Sequence, residues 1–391
     1  MKNLFVKGIT FTIVILFVGT SILSNICQAL EITDDFDSEI ENFMKMGHIP
    51  SLVACIVKND SVKWMKAFGK SDYYRGINST IDTVFPIASI TKSVTATAIM
   101  QIIENESYGI SLDDNVSKYL PFDLKNPKYP DVNITFRMLL AHQSSFRDNH
   151  NKFVIYYRLL KNTDDWLKKF FSDPRNWFDY APGKGVCYSM GGPTIIGMII
   201  ENITNQSYKD YCKEHIFTPL EMYNTSFYFS DFDENNLAHP YLWTGGKLLP
   251  YLQYPFIELY SIELPVGGLK STISDFSHYL IMHTNKGVYN GVRILKESSV
   301  EEMHRYQYPE YPDGNALHGL GWYGNESYSG HSGTAIGGFA FLKIRHYDNA
   351  GVIYFINQRS LLNIIVHNLP KYYIDAKKGI EAALFEKASE L

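Results

Sequence analysis

The sequence predicts an α/β plus all-α protein: the two ends of the chain build one antiparallel sheet flanked by helices, and a mainly helical domain is inserted between them. Three observations carry this prediction. They are a helix and two strand-like runs near the amino terminus, two strand-like runs and a helix near the carboxyl terminus, and a long middle region rich in helical patterns. Because a sheet must bury its apolar faces under helices, the matching ends favour one shared sheet.

The amino-terminal elements follow from the spacing of apolar residues. Residues 35–46 place apolar side chains three and four positions apart, which predicts a helix. The runs 52–57 and 62–68 are rich in β-forming residues, and the polar residues 58–61 between them predict a hairpin.

The carboxyl-terminal elements mirror this arrangement. Residues 335–345 and 351–358 are strand-like on either side of a polar turn at 347–349. Residues 370–387 then have helical periodicity. These strands would complete the sheet that begins near the amino terminus, with the helix packed on one of its faces.

Proline and glycine residues separate several helical patterns in the middle of the chain. The clearest of these patterns cover residues 159–171, 194–202, 208–216 and 275–283. We therefore predict a discontinuous α/β domain over residues 35–100 and 304–391 and a mainly helical domain over 101–303. Together they form one unit over residues 35–391.

The composition is that of a soluble globular protein of enzyme size, and it excludes some partners. Of the 391 residues, 45% are hydrophobic and 20% are charged, and the net charge is −5, so no basic field exists to attract nucleic acid. The four cysteines lack the spacing of a disulfide framework or a zinc site. We expect no metal, no cofactor and no nucleic-acid partner, and a small molecule or peptide as the substrate.

The first residues have the order of an export signal. Lys2 and Lys7 precede an apolar run at residues 9–26, and Cys27-Gln28-Ala29 supplies small residues where a signal peptidase would cut. This order predicts a signal peptide over residues 1–29, although the apolar run is also long enough to be an uncleaved anchor. In either case we expect a secreted or extracytoplasmic protein that contacts a membrane only through this segment.

A candidate nucleophile lies where a helix is expected to begin. In Ser89-Ile90-Thr91-Lys92 the serine and the lysine are three residues apart, so on a helix their side chains share one face. The start of a helix also offers free N–H groups to an oxyanion, and a buried lysine can accept a proton. A helix-capping serine beside a solvated lysine has the same spacing, so the motif needs context.

Two further motifs supply that context. Tyr188-Ser189-Met190 lies in a loop before the helix expected near residue 194, and Tyr188 can act as a base if Lys92 stabilises its ionised form. His331-Ser332-Gly333 opens the strand expected near residue 335. There, His331 can donate a hydrogen bond into a cleft and Gly333 can let a substrate lie against the strand edge. Taken singly, these two residues are better explained as a loop aromatic and a surface histidine.

The order Ser-x-x-Lys, Tyr-Ser-x and His-Ser-Gly resembles the serine β-lactamase-related superfamily, which includes class C β-lactamases, DD-carboxypeptidases, D-aminopeptidases and certain esterases. The resemblance extends over residues 36–358. The further stretches that are similar to the family are residues 112–121, 134–142, 216–222, 267–272 and 319–322. This resemblance implies the fold class predicted above.

The resemblance also implies roles for the motif residues. Ser89 would be acylated, and Lys92 and Tyr188 would share its proton and later activate the water that releases the product. The backbone N–H groups of Ser89 and Thr334 would form the oxyanion hole. The implied substrate-binding residues are His331, Ser332, Gly333 and Met190.

Two positions depart from the commonest family pattern. His331 stands where many relatives have a lysine, which weakens the expectation of a permanent cation facing a substrate carboxylate. Met190 stands where most have an asparagine, and a thioether cannot hold the carbonyl of a substrate amide. We therefore expect an exported serine hydrolase that cleaves an ester or a short peptide amide. The alternatives are a DD-carboxypeptidase or β-lactamase, and a non-catalytic sensor or binding module on the same fold.

Overall fold

The computed structural model describes residues 35–147, 163–244, 246–250, 264–312, 317–335, 337–360 and 370–391. The predicted export signal, residues 1–29, lies outside these ranges, as does the start of the helix predicted at 159–171. Contacts divide the chain between Asn42 and Phe43, and the described residues from Phe43 onward form one compact unit. Within the described ranges, no helix combines the length and the apolar character needed to cross a bilayer.

Helices and short strands alternate along the chain. The described ranges contain ten α-helices: α1 Asp35–Gly47, α2 Thr91–Glu104, α3 Phe136–Leu140, α4 Thr163–Ser172, α5 Gly191–Thr204, α6 Tyr208–Cys212, α7 Leu264–Gly267, α8 Ile273–Thr284, α9 Glu297–His304 and α10 Lys371–Glu390. They also contain fifteen strands: β1 Ser51–Lys58, β2 Ser61–Asp72, β3 Ile77–Asn78, β4 Phe85–Pro86, β5 Tyr241–Thr244, β6 Lys247–Pro250, β7 Lys270–Ser271, β8 Val288–Tyr289, β9 Val292–Arg293, β10 Leu317–His318, β11 Tyr323–Asn325, β12 Tyr328–Ala335, β13 Gly338–Arg345, β14 Ala350–Ile356 and β15 Gln358–Ser360.

Eight of these strands form one antiparallel sheet in the order β10-β11-β12-β13-β14-β1-β2-β3. At the centre of this sheet β1 pairs with β14, which sets Cys55 opposite Ile353. Strands from the two ends of the chain therefore build one sheet, and the predicted fold class is confirmed.

Helices cover both faces of the sheet. β14 is buried along its whole length, and its successive side chains point to opposite faces. The Tyr354 hydroxyl donates to the Lys377 carbonyl of α10 at 3.4 Å, whereas the ring of Phe355 lies 6.2 Å from that of Phe276 on α8. α10 and α8 thus pack on opposite faces.

The hairpin predicted between β1 and β2 is confirmed. Lys58 pairs with Ser61, and the two residues between them, Asn59 and Asp60, have φ angles of 51° and 64°. A two-residue hairpin turn of this kind needs the left-handed region at both positions. Asn and Asp adopt that region more readily than most other residues.

The carboxyl-terminal strands differ from the prediction in one place. The strand predicted at 335–345 begins at Gly338, and Ala335 ends a separate strand, β12. β12 contains several Gly and Ser residues, which have weak strand preference, and it pairs along its length with β13. Its conformation follows from this pairing more than from its local sequence.

The middle of the chain contains the predicted helices together with short strands that the sequence did not predict. α5 and α8 cover the patterns at 194–202 and 275–283, and the pattern at 208–216 continues from α6 into a π-helical turn, Lys213–Phe217. α8 packs against β1 and β14, although the predicted division assigns it to the helical part. The predicted domain boundaries at residues 100 and 304 stay a prediction.

Candidate active site

Ser89 lies in a single 3₁₀ turn, Ala88–Ile90, that leads into α2. Ala88 has a φ of 47°, a conformation that a residue with a side chain keeps only when its surroundings fix it. Thr91 Oγ1 fixes it by donating to Ala88 O at 2.6 Å, and Leu269 N donates to Thr91 Oγ1 at 3.2 Å. The side chain of Ser89 itself is half-buried.

α2 passes through the core and provides a rigid support for this turn. All residues from 91 to 100 are buried. Its interior hydroxyl groups are paired: Thr95 Oγ1 lies 2.7 Å from the Tyr208 hydroxyl, and Thr97 Oγ1 lies 2.9 Å from the Tyr279 hydroxyl. Because these buried hydroxyl groups are hydrogen-bonded, α2 can lie in the core while the turn before it carries the half-buried Ser89.

Lys92 is 2% exposed and is fixed by two hydrogen bonds. Its Nζ donates to Ser89 Oγ at 3.1 Å and to Val266 O of α7 at 2.8 Å. The structure thus brings Ser89 and Lys92 together on one face of the helix start. Val266, which sequence reasoning did not identify, holds the ammonium group in place from the opposite segment.

Tyr188 reaches the same place from the loop before α5. Lys92 Nζ lies 4.9 Å from the centroid of the Tyr188 ring, within the range of a cation–π contact. Ser189 Oγ accepts a hydrogen bond from Gly192 N at 3.1 Å, which ties the loop to the first turn of α5. Tyr188 is 41% exposed, so the ring is also open to a ligand.

The strand β12 lies against the turn that carries Ser89. β11 pairs with β12 only as far as Gly330, and beyond that point β12 contacts the Ala88–Ile90 turn. A Cβ on Gly333 would lie 2.0 Å from Ile87 O and 3.1 Å from Ser89 N. Gly333 therefore allows strand and turn to touch, directly before Thr334, whose N–H is expected to belong to the oxyanion hole.

His331 is buried on β12, and its ring proton is used within the strand. Nδ1 lies 2.8 Å from Ser332 O, and because a carbonyl oxygen only accepts, Nδ1 must donate. Burial, together with the charge of Lys92, lowers the pKa of His331 to about 3, so the ring is neutral at pH 7 and its Nε2 is an acceptor. The donation of a hydrogen bond by His331 into the cleft stays a prediction, and in this tautomer Nε2 would instead accept one from a ligand.

Ser332 is in contact with a residue that sequence reasoning missed. The hydroxyl of Tyr323 on β11 hydrogen-bonds to the Ser332 side chain, and burial raises the pKa of Tyr323 to about 12. The ring of Tyr323 also lies 5.2 Å from that of His331. Tyr323 contributes a neutral phenol to this side of the site.

Met190 is the N-cap residue of α5. Its carbonyl accepts hydrogen bonds from Thr194 N at 3.2 Å and from Thr194 Oγ1 at 3.0 Å. Its backbone therefore starts the helix, while its half-buried side chain supplies no hydrogen-bond donor at the position of the family asparagine.

His142 is the third site residue that sequence reasoning missed, after Val266 and Tyr323. Its ring lies 4.5 Å from that of Tyr188, and its Nδ1 accepts a hydrogen bond from Ser189 N at 3.2 Å. It follows directly after the short helix α3, where no periodic pattern distinguishes it. In the part of the chain that the structure describes, no group of three or more His, Cys, Asp or Glu side chains could hold a metal ion.

Comparison with known proteins gives related sequences over most of the chain. Protein flp from Staphylococcus aureus (strain MW2) is 26% identical over 327 residues, which are 83% of this chain and 63% of that protein. Beta-lactamase-like protein 2 from Dictyostelium discoideum is 30% identical over 314 residues, 73% of this chain and 54% of that protein. This chain therefore spans less than two thirds of the length of these relatives.

Solved structures share the fold. An octameric penicillin-binding protein homologue from Pyrococcus abyssi matches with a TM-score of 0.69 and 26% identity, covering 88% of this chain and 76% of that one. D-amino acid amidase from Ochrobactrum anthropi SV3 matches with a TM-score of 0.69 and 20% identity, covering 91% of this chain and 99% of that one.

The family model described as Beta-lactamase matches residues 36–363. Since that match covers most of the sequence, the chain belongs to the beta-lactamase family.

Proposed function

We propose that this protein is a serine hydrolase that forms an acyl-enzyme on Ser89 and cleaves an ester or a short peptide amide. One observation carries the proposal: Lys92 Nζ lies 3.1 Å from Ser89 Oγ and 4.9 Å from the centroid of the Tyr188 ring. A serine hydroxyl needs a neighbouring group to take its proton before it can attack a carbonyl. Lys92 contacts the Ser89 hydroxyl directly, and the Tyr188 ring lies against Lys92.

In the proposed reaction, Ser89 Oγ forms a bond to the carbonyl carbon of the substrate and its proton passes to the Lys92–Tyr188 pair. The carbonyl oxygen becomes an oxyanion, which the N–H groups of Ser89 and Thr334 stabilise. The bond to the leaving group then breaks, and the leaving group takes up the proton. A water molecule attacks the acyl-enzyme in the same way, so that Ser89 recovers its proton and the acid product leaves.

The cleft chemistry supports an ester or an uncharged amide over a substrate with a free carboxylate. His331 is neutral and its Nδ1–H is already used by Ser332 O, so it supplies no positive charge to a carboxylate. Met190 supplies no amide group to orient a substrate amide. An ester needs that orientation less, because its carbonyl is more electrophilic and its leaving group departs more readily.

Two alternatives remain as proposals of lower rank. A DD-carboxypeptidase or β-lactamase is supported by the family and by the penicillin-binding protein homologue from Pyrococcus abyssi. The amide that the main proposal includes is supported by the D-amino acid amidase from Ochrobactrum anthropi, whose structure was determined with L-phenylalanine amide. The second alternative is a non-catalytic sensor or binding module. A non-catalytic sensor has no chemical need for the contact between Lys92 and Ser89.

We also propose export, on the basis of residues 1–29.

The proposal is tested by reaction with a fluorophosphonate and by a substrate panel. We expect the wild type to be labelled and to hydrolyse an aryl ester faster than a D-amino-acid amide or a chromogenic cephalosporin. Ser89→Ala should lose labelling and should lower turnover by on the order of 10⁴-fold or more. The matched control is Ser93→Ala, since the Ser93 hydroxyl is bound to Ile90 O at 2.8 Å and should not react. Full activity in Ser89→Ala would contradict the mechanism, and efficient cephalosporin hydrolysis would favour the β-lactamase alternative.

A further inference from the structure

We propose that His142 is a positioning residue that holds Tyr188 in place for proton transfer, through hydrogen bonds to the residues on both sides of that tyrosine. This inference rests on the proposed function, because it assigns a role to His142 in the reaction at Ser89. His142 is not one of the three residues, Ser89, Lys92 and Tyr188, that would exchange the proton.

The main chain on both sides of Tyr188 is bound to the same residue. Cys187 N donates to His142 O at 2.9 Å, and Ser189 N donates to His142 Nδ1 at 3.2 Å. Tyr188 thus lies between two N–H groups that a single residue fixes. Since Tyr188 is 41% exposed, these main-chain hydrogen bonds contribute to fixing its position.

The backbone of His142 has an unusual conformation that this arrangement requires. Its φ is 58°, in the left-handed region that is uncommon for a residue with a side chain. With this φ, the carbonyl and the ring of His142 both reach the 187–189 loop. Such a conformation persists when the surrounding structure fixes it and is frequent at functional sites.

The ring of His142 also packs against the ring that it positions. The two ring centroids are 4.5 Å apart with an interplanar angle of 41°, a distance typical of favourable aromatic contacts. Lys92 Nζ contacts the same tyrosine ring at 4.9 Å. Tyr188 is therefore held by its main chain, by the His142 ring and by the Lys92 ammonium group.

The hydrogen bond from Ser189 N requires Nδ1 to be unprotonated, and the surroundings of His142 favour that state. The groups that face it are Lys92 on α2, His318 on β10, His331 on β12 and Tyr188 itself. Burial is the largest cause that holds the pKa of His142 well below its ordinary value, and His318, Lys92 and His331 lower it further. The neutral ring then carries its proton on Nε2 and keeps Nδ1 as an acceptor.

Because Nδ1 is engaged by the main chain, His142 is not itself available as the base of the reaction at that atom. Its effect on the reaction is through the position of Tyr188. Displacement of a reacting group by about 1 Å can lower the rate on the order of 100-fold. The loss of the Nδ1 acceptor should therefore appear in kcat, while substrate binding along β12 stays nearly unchanged.

Two substitutions separate the contributions of the ring and the acceptor. His142→Phe keeps an aromatic ring and removes the acceptor, so kcat for the best substrate should fall by on the order of 100-fold with KM changed only a few-fold. His142→Asn keeps an oxygen close to the Nδ1 position, and asparagine tolerates the left-handed conformation. This variant should retain kcat within about tenfold of the wild type.

A double-mutant cycle distinguishes positioning from a general structural role. If His142 acts through Tyr188, then His142→Phe should lower kcat little further in a Tyr188→Phe background. An equal loss in both backgrounds, or wild-type kcat in His142→Phe, would overturn the proposal. Thermal unfolding of each variant checks that the protein is folded. If His142→Phe does not fold, the proposal is tested by the kcat of His142→Asn and by nitrogen NMR of the wild-type histidine rings.

Nitrogen NMR of the histidine rings in the wild type gives a readout that does not depend on turnover. We expect an unprotonated Nδ1 and a protonated Nε2 for His142, unchanged between pH 7 and pH 5. A protonated Nδ1 at pH 7 would overturn the proposed hydrogen bond. If the wild type hydrolyses none of the panel substrates, the proposed function fails, whereas the nitrogen shifts still test the contact between His142 and the Tyr188 loop.

Discussion

The side chain of Met190, at the start of α5, can influence whether the site favours esters or amides. Its carbonyl caps α5 through Thr194, and this main-chain role does not depend on the side chain. Met190 lies two residues after Tyr188, and its side chain carries no hydrogen-bond donor for a substrate carbonyl. A substitution at this position can therefore change the chemistry of the cleft without removing the helix cap.

Met190→Asn should improve the turnover of amides relative to esters. A neutral hydrogen bond is worth about 0.5–1.5 kcal/mol, so kcat/KM for an amide or a β-lactam should rise roughly 2–10-fold. The value for a short aryl ester should change less. The measurement is the ratio of kcat/KM for the amide to kcat/KM for the ester, in the wild type and in the variant. An unchanged or lower ratio in Met190→Asn would contradict the interpretation that the missing donor at this position disfavours amides.

Residues of the site differ in how far the sequence could identify them. Ser89 and Lys92 are one helical turn apart, so local geometry alone predicts their contact. His142, Val266 and Tyr323 come from three distant segments and meet the site only after the chain has folded. No local pattern distinguishes them. The ring nitrogen of His331 that carries the proton likewise depends on burial and on Ser332 O, which a local sequence pattern does not reveal.

Among the elements, β12 is the strand that packs against the turn carrying Ser89. Its contact with the Ala88–Ile90 turn depends on Gly333, where a side chain would meet Ile87 O. The sequence predicted Gly333 as a position that accommodates substrate, and the structure adds the approach of two backbones as a physical reason. β12 itself was not predicted as a separate strand because its Gly and Ser residues have low strand preference.

Gly333→Ala should separate β12 from the Ser89 turn. We expect the free energy of unfolding to fall by about 1–3 kcal/mol, as for other substitutions that overfill a packed site. Fluorophosphonate labelling of Ser89 should also become slower, because the oxyanion-hole groups move apart. Gly338→Ala on β13 is the matched control, since the nearest atom to its Cβ would be 3.3 Å away. Equal effects of the two substitutions on labelling would contradict this role of Gly333.

At the scale of the whole molecule, three buried histidines and the partly buried His304 make the stability sensitive to acid. Burial lowers the pKa of His304 and of His331 to about 3, and it holds those of His142 and His283 well below the ordinary value. As the pH falls below about 6.5, the unfolded chain therefore binds protons that the folded chain does not. The stability is fully present above that pH and is lost progressively towards pH 3.

The free energy of unfolding should thus decrease between pH 7 and pH 5, by up to about 1.4 kcal/mol per pH unit for each such histidine. Urea unfolding at several pH values measures this slope. His304→Asn should give a shallower slope than the wild type, because it removes one group that takes up a proton on unfolding. Equal slopes in the wild type and His304→Asn would show that His304 is not protonated preferentially in the unfolded state.

The pairing of β1 with β14 has a consequence for how the chain is made. Cys55 and Ile353 are partners in the sheet, although about 300 residues separate them, and such distant contacts form late in folding. While a ribosome is still synthesising the middle of the chain, β1 has only β2 beside it, and a lone hairpin is barely stable in water. The central sheet therefore cannot assemble before β14 has emerged. For an exported protein, this delay would give a translocation channel time to receive the polypeptide while it is still unfolded.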